Sequence, residues 1–203
     1  MKVDIKKSLK WSISIAVITF VLAALFSIVS NTLLNGVSWA VGMIIVLIIV
    51  LIGIFFDIIG VAATAAHEIP FHAMASEKVK GAKQAITITR NADRVANFCN
   101  DVIGDISGIV SGTASAVVVI ELMVQFGKGE GSALQNTVSV LLTSVVCALT
   151  VGGKAFGKSF AIKYSTKIIF QVGRVFYFIE DHFHVNLLGN GKKKKKTANR
   201  NVK

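Results

Sequence analysis

Charge is scarce in this chain. Charged residues fill 16% of its 203 positions and hydrophobic ones 53%, whereas a soluble domain carries about a quarter charged residues. With a mean hydropathy of +0.67, the chain is too apolar for an ordinary water-soluble globule. Acidic residues are scarcer still: 11 stand against 22 lysines and arginines, for a net charge of +11. Pro70 is the one proline. The glycines are scattered through apolar runs, which fits lipid-embedded helices, where glycine permits close packing, better than it fits disorder. The two cysteines, Cys99 and Cys147, form no motif. Cys147 lies in an apolar run and Cys99 in a segment assigned below to the cytosol, which argues for two small apolar fillers rather than a disulfide.

Catalytic constellations are missing too. There is no nucleophile–base set, Walker loop or dinucleotide fingerprint, so no enzymatic activity is expected. Gly152-Gly153-Lys154 lacks the spacing of a phosphate loop. His67, Glu68 and His72 superficially resemble a zinc-protease helix, but the histidines stand five apart, not four, with Pro70 between them. His182 and His184 beside Glu180 and Asp181 alternate as a strand would, against the helix expected there, and make a poor metal site. The lysine-rich tail has no interleaved aromatics or binding fold beside it, so no nucleic-acid partner is expected.

What the chain does have is long oily runs. Crossing a hydrocarbon core of roughly 30 Å takes about 20 apolar residues in a helix. Four stretches meet that length: 11–30, 37–56, 102–126 and 133–151. In lipid every backbone amide must be satisfied within its own segment, so helix is the default. The chain reads as an all-α integral membrane bundle of about four spans with juxtamembrane helices. The first span follows Lys2, Lys6, Lys7 and Lys10 in the manner of a signal peptide. Its apolar part outlasts a typical h-region of about 7–15 residues, and Ser27-Ile28-Val29-Ser30 makes a poor cleavage site, so retention is expected.

Loop charges orient the spans. Basic residues crowd the N-terminus, the 67–100 connection (Lys78, Lys80, Lys83, Arg90, Arg94) and the C-terminal part, while the other two connections hold only Lys128. Four spans put all the basic segments on one side, as the positive-inside rule demands. Both termini are therefore expected in the cytosol and the chain in the plasma membrane. Residues 76–98 read as one helix with Val79, Ala82, Ile86 and Val95 near one side. Residues 163–183 read as an interfacial helix: Ile168, Val172, Val175, Phe176, Ile179 and Phe183 form an apolar stripe opposite Lys163, Lys167 and Arg174. The run Lys192, Lys193, Lys194, Lys195 and Lys196 adds attraction to an anionic leaflet, about 1 kcal/mol per residue near the surface, or simply forms a solvated tail.

Gly104, Gly108 and Gly112 recur every four residues in the third span, and Ser107, Ser111 and Ser115 repeat that spacing beside them. Such small residues let helices approach closely, either within the chain or across a homodimer seam. At the inner ends of the spans stand Asp57, Asp101, Asp105 and Lys154. Charged groups at membrane depth pair, line a wet cavity or snorkel to the interface, so these are either boundary residues or a polar cluster for a cation.

Several of these fragments together resemble a known family. Phe56-Asp57, then Met74-Ala75-Ser76-Glu77-Lys78-Val79-Lys80-Gly81-Ala82, Asp93-Arg94, Ile103-Gly104, Gly108-Ile109-Val110-Ser111-Gly112 and Gly153-Lys154-Ala155-Phe156-Gly157-Lys158-Ser159-Phe160-Ala161 follow in order and spacing the pattern of the DUF21 transmembrane domain of the CNNM/CorB/CorC proteins. That family is associated with magnesium and sometimes cobalt transport. The resemblance covers 56 to about 116 and 153 to 168. It implies a division into a basic N-terminus with an extra span (1–36), a DUF21-like domain (37–162), an interfacial helix (163–188) and a lysine-rich tail (189–203). It also implies a homodimer and an ion site built on serine hydroxyls, an asparagine and a glutamate.

This sequence departs from that pattern where the chemistry lies. Asp57 stands at the serine position and the asparagine falls near Asn100 to Asp105. Lys154 replaces the glutamate, and Gly157 the proline. After the interfacial helix the 203 residues leave no room for the family's regulatory CBS pair. The site residues implied are Asp57, Asn100, Asp105 and Lys154, with Asp57 and Asp105 as ligands if Mg²⁺ binds. A lysine ammonium can instead occupy the cation's place. The resulting expectation is a Mg²⁺/Co²⁺ transport-related membrane protein with an altered ion site. The alternative is a non-transporting scaffold or regulatory protein that binds anionic lipid or a partner.

Overall fold

The computed structural model describes residues 5–125 and 133–183; the Lys192–Lys196 run and His184 lie outside them. Long apolar runs without proline give long helices: α1 (Ile5–Leu34), α2 (Trp39–Ala65), α6 (Asp105–Gln125) and α7 (Ala133–Lys163). Between α2 and α6 come α3 (Ile69–Ser76), α4 (Ala82–Arg90), α5 (Ala92–Ala96) and a π-helical segment (Asn97–Gly104); α8 (Ser165–Phe183) follows α7. The described residues contain no strand. Four helical stretches are long and apolar enough to cross a membrane: Ser12–Leu34, Trp39–Ala65, Ala92–Gln125 and Gln135–Lys163. Each outlasts the apolar run that announces it, because a helix with its own hydrogen bonds need not stop where the hydrophobic residues do.

Register follows from side-chain contacts. Gly42 of α2 meets Val118 of α6, and eleven residues on, Gly53 meets Ser107, so the two helices run antiparallel. Gly153 and Gly157 of α7 meet Ile54 and Ile58 of α2 in ascending order, so α7 runs parallel to α2. Ile15, Leu22 and Phe26 of α1 pack on Val102, Ile106 and Val110, while Leu34 lies with Val118, so α1 runs with α6. Successive long helices thus alternate in direction. The start of α1, the α3–α5 connection and α8 share one end, here termed the basic end. Apolar side chains cover the outer faces: Phe20 is 75% exposed, Val140 66% and Phe156 78%.

Residues 76–98 are not one helix. Lys78 (φ 58°) and Gly81 (φ 91°) form a left-handed turn between α3 and α4, and Asn91 (φ −111°, ψ 29°) breaks α4 from α5. Gly81 is required twice over: by its φ, and because a Cβ there would stand 2.8 Å from the Arg174 backbone. Gly173 of α8 answers from the other side, where a Cβ would lie 2.6 Å from the Gly81 carbonyl oxygen. This close crossing seats α8 on α4 and buries Ala85, Ile88 and Ile169 with Phe71 and Ala62 of the preceding helices. The apolar stripe of α8 is rotated from its expected position, since Ile169 is fully buried and Val175 is 58% exposed.

Glu68, just before α3, ties that helix to the far end of α4. His72 Nε2 lies 3.1 Å from Glu68 Oε2, and Arg90 Nε donates to the same oxygen at 3.0 Å. These two contacts hold the Glu68 carboxyl below its ordinary value of 4.5, His72 contributing most. A carboxylate with a depressed folded pKa stabilises above its unfolded pKa and loses that contribution as pH falls through the folded one. Thermal melts of the native chain and Glu68→Gln should therefore differ modestly at pH 7, in favour of the native, and converge as pH falls below the ordinary carboxylate range.

Candidate polar site at the α2–α6–α7 crossing

Three small or polar residues, Gly53, Asp57 and Gly60, fall at i, i+4 and i+7 on α2 and so share one helical face. That face meets the π-helical segment and the start of α6. A Cβ at Gly53 would lie 2.8 Å from the Ser107 Cβ, and one at Gly60 would run into the Asn100 side-chain amide, with Cγ at 2.7 Å. The absent side chains are what let Ser107 and Asn100 reach the α2 backbone. Between the two glycines, Asp57 is 3% exposed. A π-helical turn admits one residue more than an α-helical one, and such bulges concentrate at functional sites. Here it covers Asn97–Gly104, the stretch that delivers Asn100 and Gly104 against α2.

Lys154 enters from α7. Its Nζ donates to the Gly104 carbonyl oxygen at 3.2 Å and lies 3.5 Å from Asp105 Oδ1. Measured from the position a Gly104 Cβ would occupy, Lys154 Nζ stands at 3.3 Å and Asp57 Oδ1 at 3.9 Å, so both charged groups flank the same glycine. The lysine side chain is 19% exposed and that of Asp105 66%.

The buried oxygens at this crossing are under-used. Asp57 Oδ2, Asn100 Oδ1 and Ser107 Oγ have no hydrogen-bond partner. The other serines of the stripe satisfy themselves within α6: Ser111 Oγ donates to the Gly108 carbonyl at 3.0 Å and Ser115 Oγ to that of Gly112 at 2.7 Å. Leaving a buried polar group unmatched costs about 1–3 kcal/mol, so the three oxygens along this crossing call for a polar partner. A carboxylate, an amide oxygen and a hydroxyl are hard donors of the kind that hydrated Mg²⁺ accepts. Among the described residues no three His, Cys, Asp or Glu side chains cluster as a closed metal cage.

The four residues expected to form the site divide accordingly. Asp57, Asn100 and Lys154 lie inside, and Asp105 sits at the rim holding the lysine. Asp101 is exposed, as a boundary residue would be. In the sequence alone Ser107 has a packing role only, and Gly53 and Gly60 are passed over; the i, i+4, i+7 pattern around Asp57 is the signal for those two. The Gly153-x-x-x-Gly157 spacing that presses α7 onto α2 was visible as well. The glycine stripe is corrected in part. Gly104 lies against Cys99 and Lys154, but a Cβ at Gly108 or Gly112 would meet nothing within 4 Å, so within one chain the neighbouring serines carry the packing. Lys163, Lys167 and Arg174 are exposed on the α7–α8 corner and α8, as their interfacial reading requires.

Comparison of the chain with protein-family models, curated proteins and solved structures returns no match.

The glycine contacts carry a direct expectation. Gly60→Leu should lower stability by about 1–3 kcal/mol through overpacking against Asn100. Gly112→Ala, with open space around it, should be neutral or stabilising by up to about 1 kcal/mol. Melting both variants in detergent beside the native chain checks the contrast.

Proposed function

We propose that this chain is an integral membrane protein related to divalent-cation transport, whose ion site holds a tethered cation, the Lys154 ammonium, in place of a mobile one. The observation that carries this reading is the buried Asp57 carboxylate and the Lys154 ammonium flanking Gly104, with the buried oxygens of Asn100 and Ser107 one turn to either side along α2. The four long apolar helices support the membrane setting, and their alternating directions fit four spans with both termini and the basic end in the cytosol. The DUF21/CNNM resemblance supports the choice of Mg²⁺ or Co²⁺, since it implies an ion site at Asp57, Asn100, Asp105 and Lys154.

Electrostatics sets the consequence. Two unit charges 4 Å apart interact by about 4 kcal/mol at an effective dielectric of 20, so a divalent ion entering beside an ammonium is opposed by roughly twice that. Asp57, buried in apolar surroundings, gains a nearby positive charge without an ion having to bind. A site of this kind favours a structural or regulatory role over rapid transport.

The test is Mg²⁺ binding and flux in sealed vesicles, for the native chain and for Lys154→Glu. The native chain should bind Mg²⁺ at least tenfold more weakly, a difference of about 1.4 kcal/mol or more. Equal binding by the two proteins would end the tethered-cation reading.

A further inference from the structure

Where α7 turns into α8, α2 is left uncovered on one side and a groove of about 440 Å³ opens. Ile58 and Ile59 of α2 form its floor, and Phe160, Tyr164 and Val172 its walls. Lys167 is the one charged residue in the lining, with Gln171 one turn further along α8. The groove continues into a shallower apolar one that shares Phe55 and Ile58 and follows α2 back to Ile48. At 1.5 Å per residue that path spans about 15 Å, half of a hydrocarbon core roughly 30 Å thick. It is therefore as long as one leaflet is deep.

The polar end of this trough is chemically specific. Lys163 Nζ lies 5.4 Å and Lys167 Nζ 5.8 Å from the centroid of the Tyr164 ring, so two ammonium groups converge on one phenol side chain. Two cations around one side chain attract an anion more strongly than either does alone. A free phosphate ion would match the lysines but leave the trough unfilled. An apolar helix from another chain would fill the trough but leave the lysines unmatched. An amphiphile with an anionic head and an acyl tail matches both.

We propose that the α2–α7–α8 groove is a binding site for one anionic phospholipid of the leaflet at the basic end, with its phosphate between Lys163 and Lys167 and an acyl chain along α2 from Ile58 toward Ile48. This rests on the membrane setting of the proposed function but not on the role given to Lys154. It differs from general attraction of a basic surface to an anionic leaflet in being a single site with a defined acyl path.

The full chain, purified in mild detergent, is titrated with phosphatidylglycerol or phosphatidylcholine, and bound lipid is counted by native mass spectrometry. One phosphatidylglycerol per chain should be retained at concentrations where phosphatidylcholine is not. The double substitution Lys163→Gln/Lys167→Gln should weaken that binding roughly tenfold or more. Ile58→Trp, which keeps both lysines and obstructs the trough, should weaken it also. Replacing Lys192 to Lys196 by glutamine should leave it unchanged. Equal retention of the two lipids, indifference to the double substitution or to Ile58→Trp, or loss with the tail substitutions would each overturn the site. Displacement of the lipid by millimolar inorganic phosphate would likewise assign the lysines to a free anion. Failure of the membrane setting reads out separately, as extraction of the chain from cells without detergent.

Discussion

How closely other helices can approach α2 determines the rest of this structure. An apolar helix packed on apolar helices gains little from hydrophobicity if its alternative neighbour is lipid, so contact must come from fit. Gly53 and Gly60 admit Ser107 and Asn100 on one side, while Gly153 and Gly157 bring α7 against Ile54 and Ile58 on the other. Because both sides are close, Asp57 is enclosed instead of reaching water. A longer side chain at any of these glycines would separate the helices and hydrate the carboxylate. The buried charge is thus a consequence of small residues elsewhere, and Lys154 reaches Gly104 only because Gly153, its neighbour in the chain, has already set the distance.

The π-helical segment serves the same crossing. From α5 to α6 the chain is continuously helical, and an unbroken α-helix would keep one periodicity from Ala92 to Gln125. The wider turns at Asn97–Gly104 change the phase part-way along. Ahead of the change, Ala96 and Cys99 are buried toward the basic end; after it, Val102, Ile106 and Val110 face α1 while Ser107, Ser111 and Ser115 are buried beside them. Asn100 sits at the change of phase, with its amide against the α2 backbone. That placement leaves Asn100 Oδ1 without a hydrogen-bond partner from the protein.

The parts of this architecture visible in the sequence are those governed by one long-range constraint. Hydrophobic length marked all four long helices, because few charges interrupt them. It misjudged their ends: α2 continues to Ala65 and α7 to Lys163, past the point where polar residues appear. The 76–98 segment was misread for the opposite reason. Its composition is helical throughout, and only backbone conformation at Lys78, Gly81 and Asn91 divides it, which periodicity does not register. Asp57 and Lys154 were recognisable as out-of-place polar groups near span ends, whereas Asn100 was implied only by the family resemblance. Their meeting depended on helix rotation, which the glycine positions fix and which only pairing α2 with its neighbours makes legible.

Those glycines also separate the two sites proposed on α2. On the side of α2 facing α6, Gly53 and Gly60 close the space and polar oxygens are trapped without water. Toward the α7–α8 corner Ile58 packs on Gly157, but Phe55, Ile58 and Ile59 still line an open groove beside Lys167. The first arrangement holds a charge in place permanently, since Lys154 is covalently part of α7 and Asp105 holds it from the rim. The second, as proposed, would exchange its occupant with the surrounding leaflet. Both lie against α2 within a few turns, on opposite sides of Ile54 and Ile58, the residues on which α7 packs. A lipid at Ile58 would lie one helical turn along α2 from the Ile54–Gly153 contact next to Lys154, so the two proposed sites are neighbours on one helix.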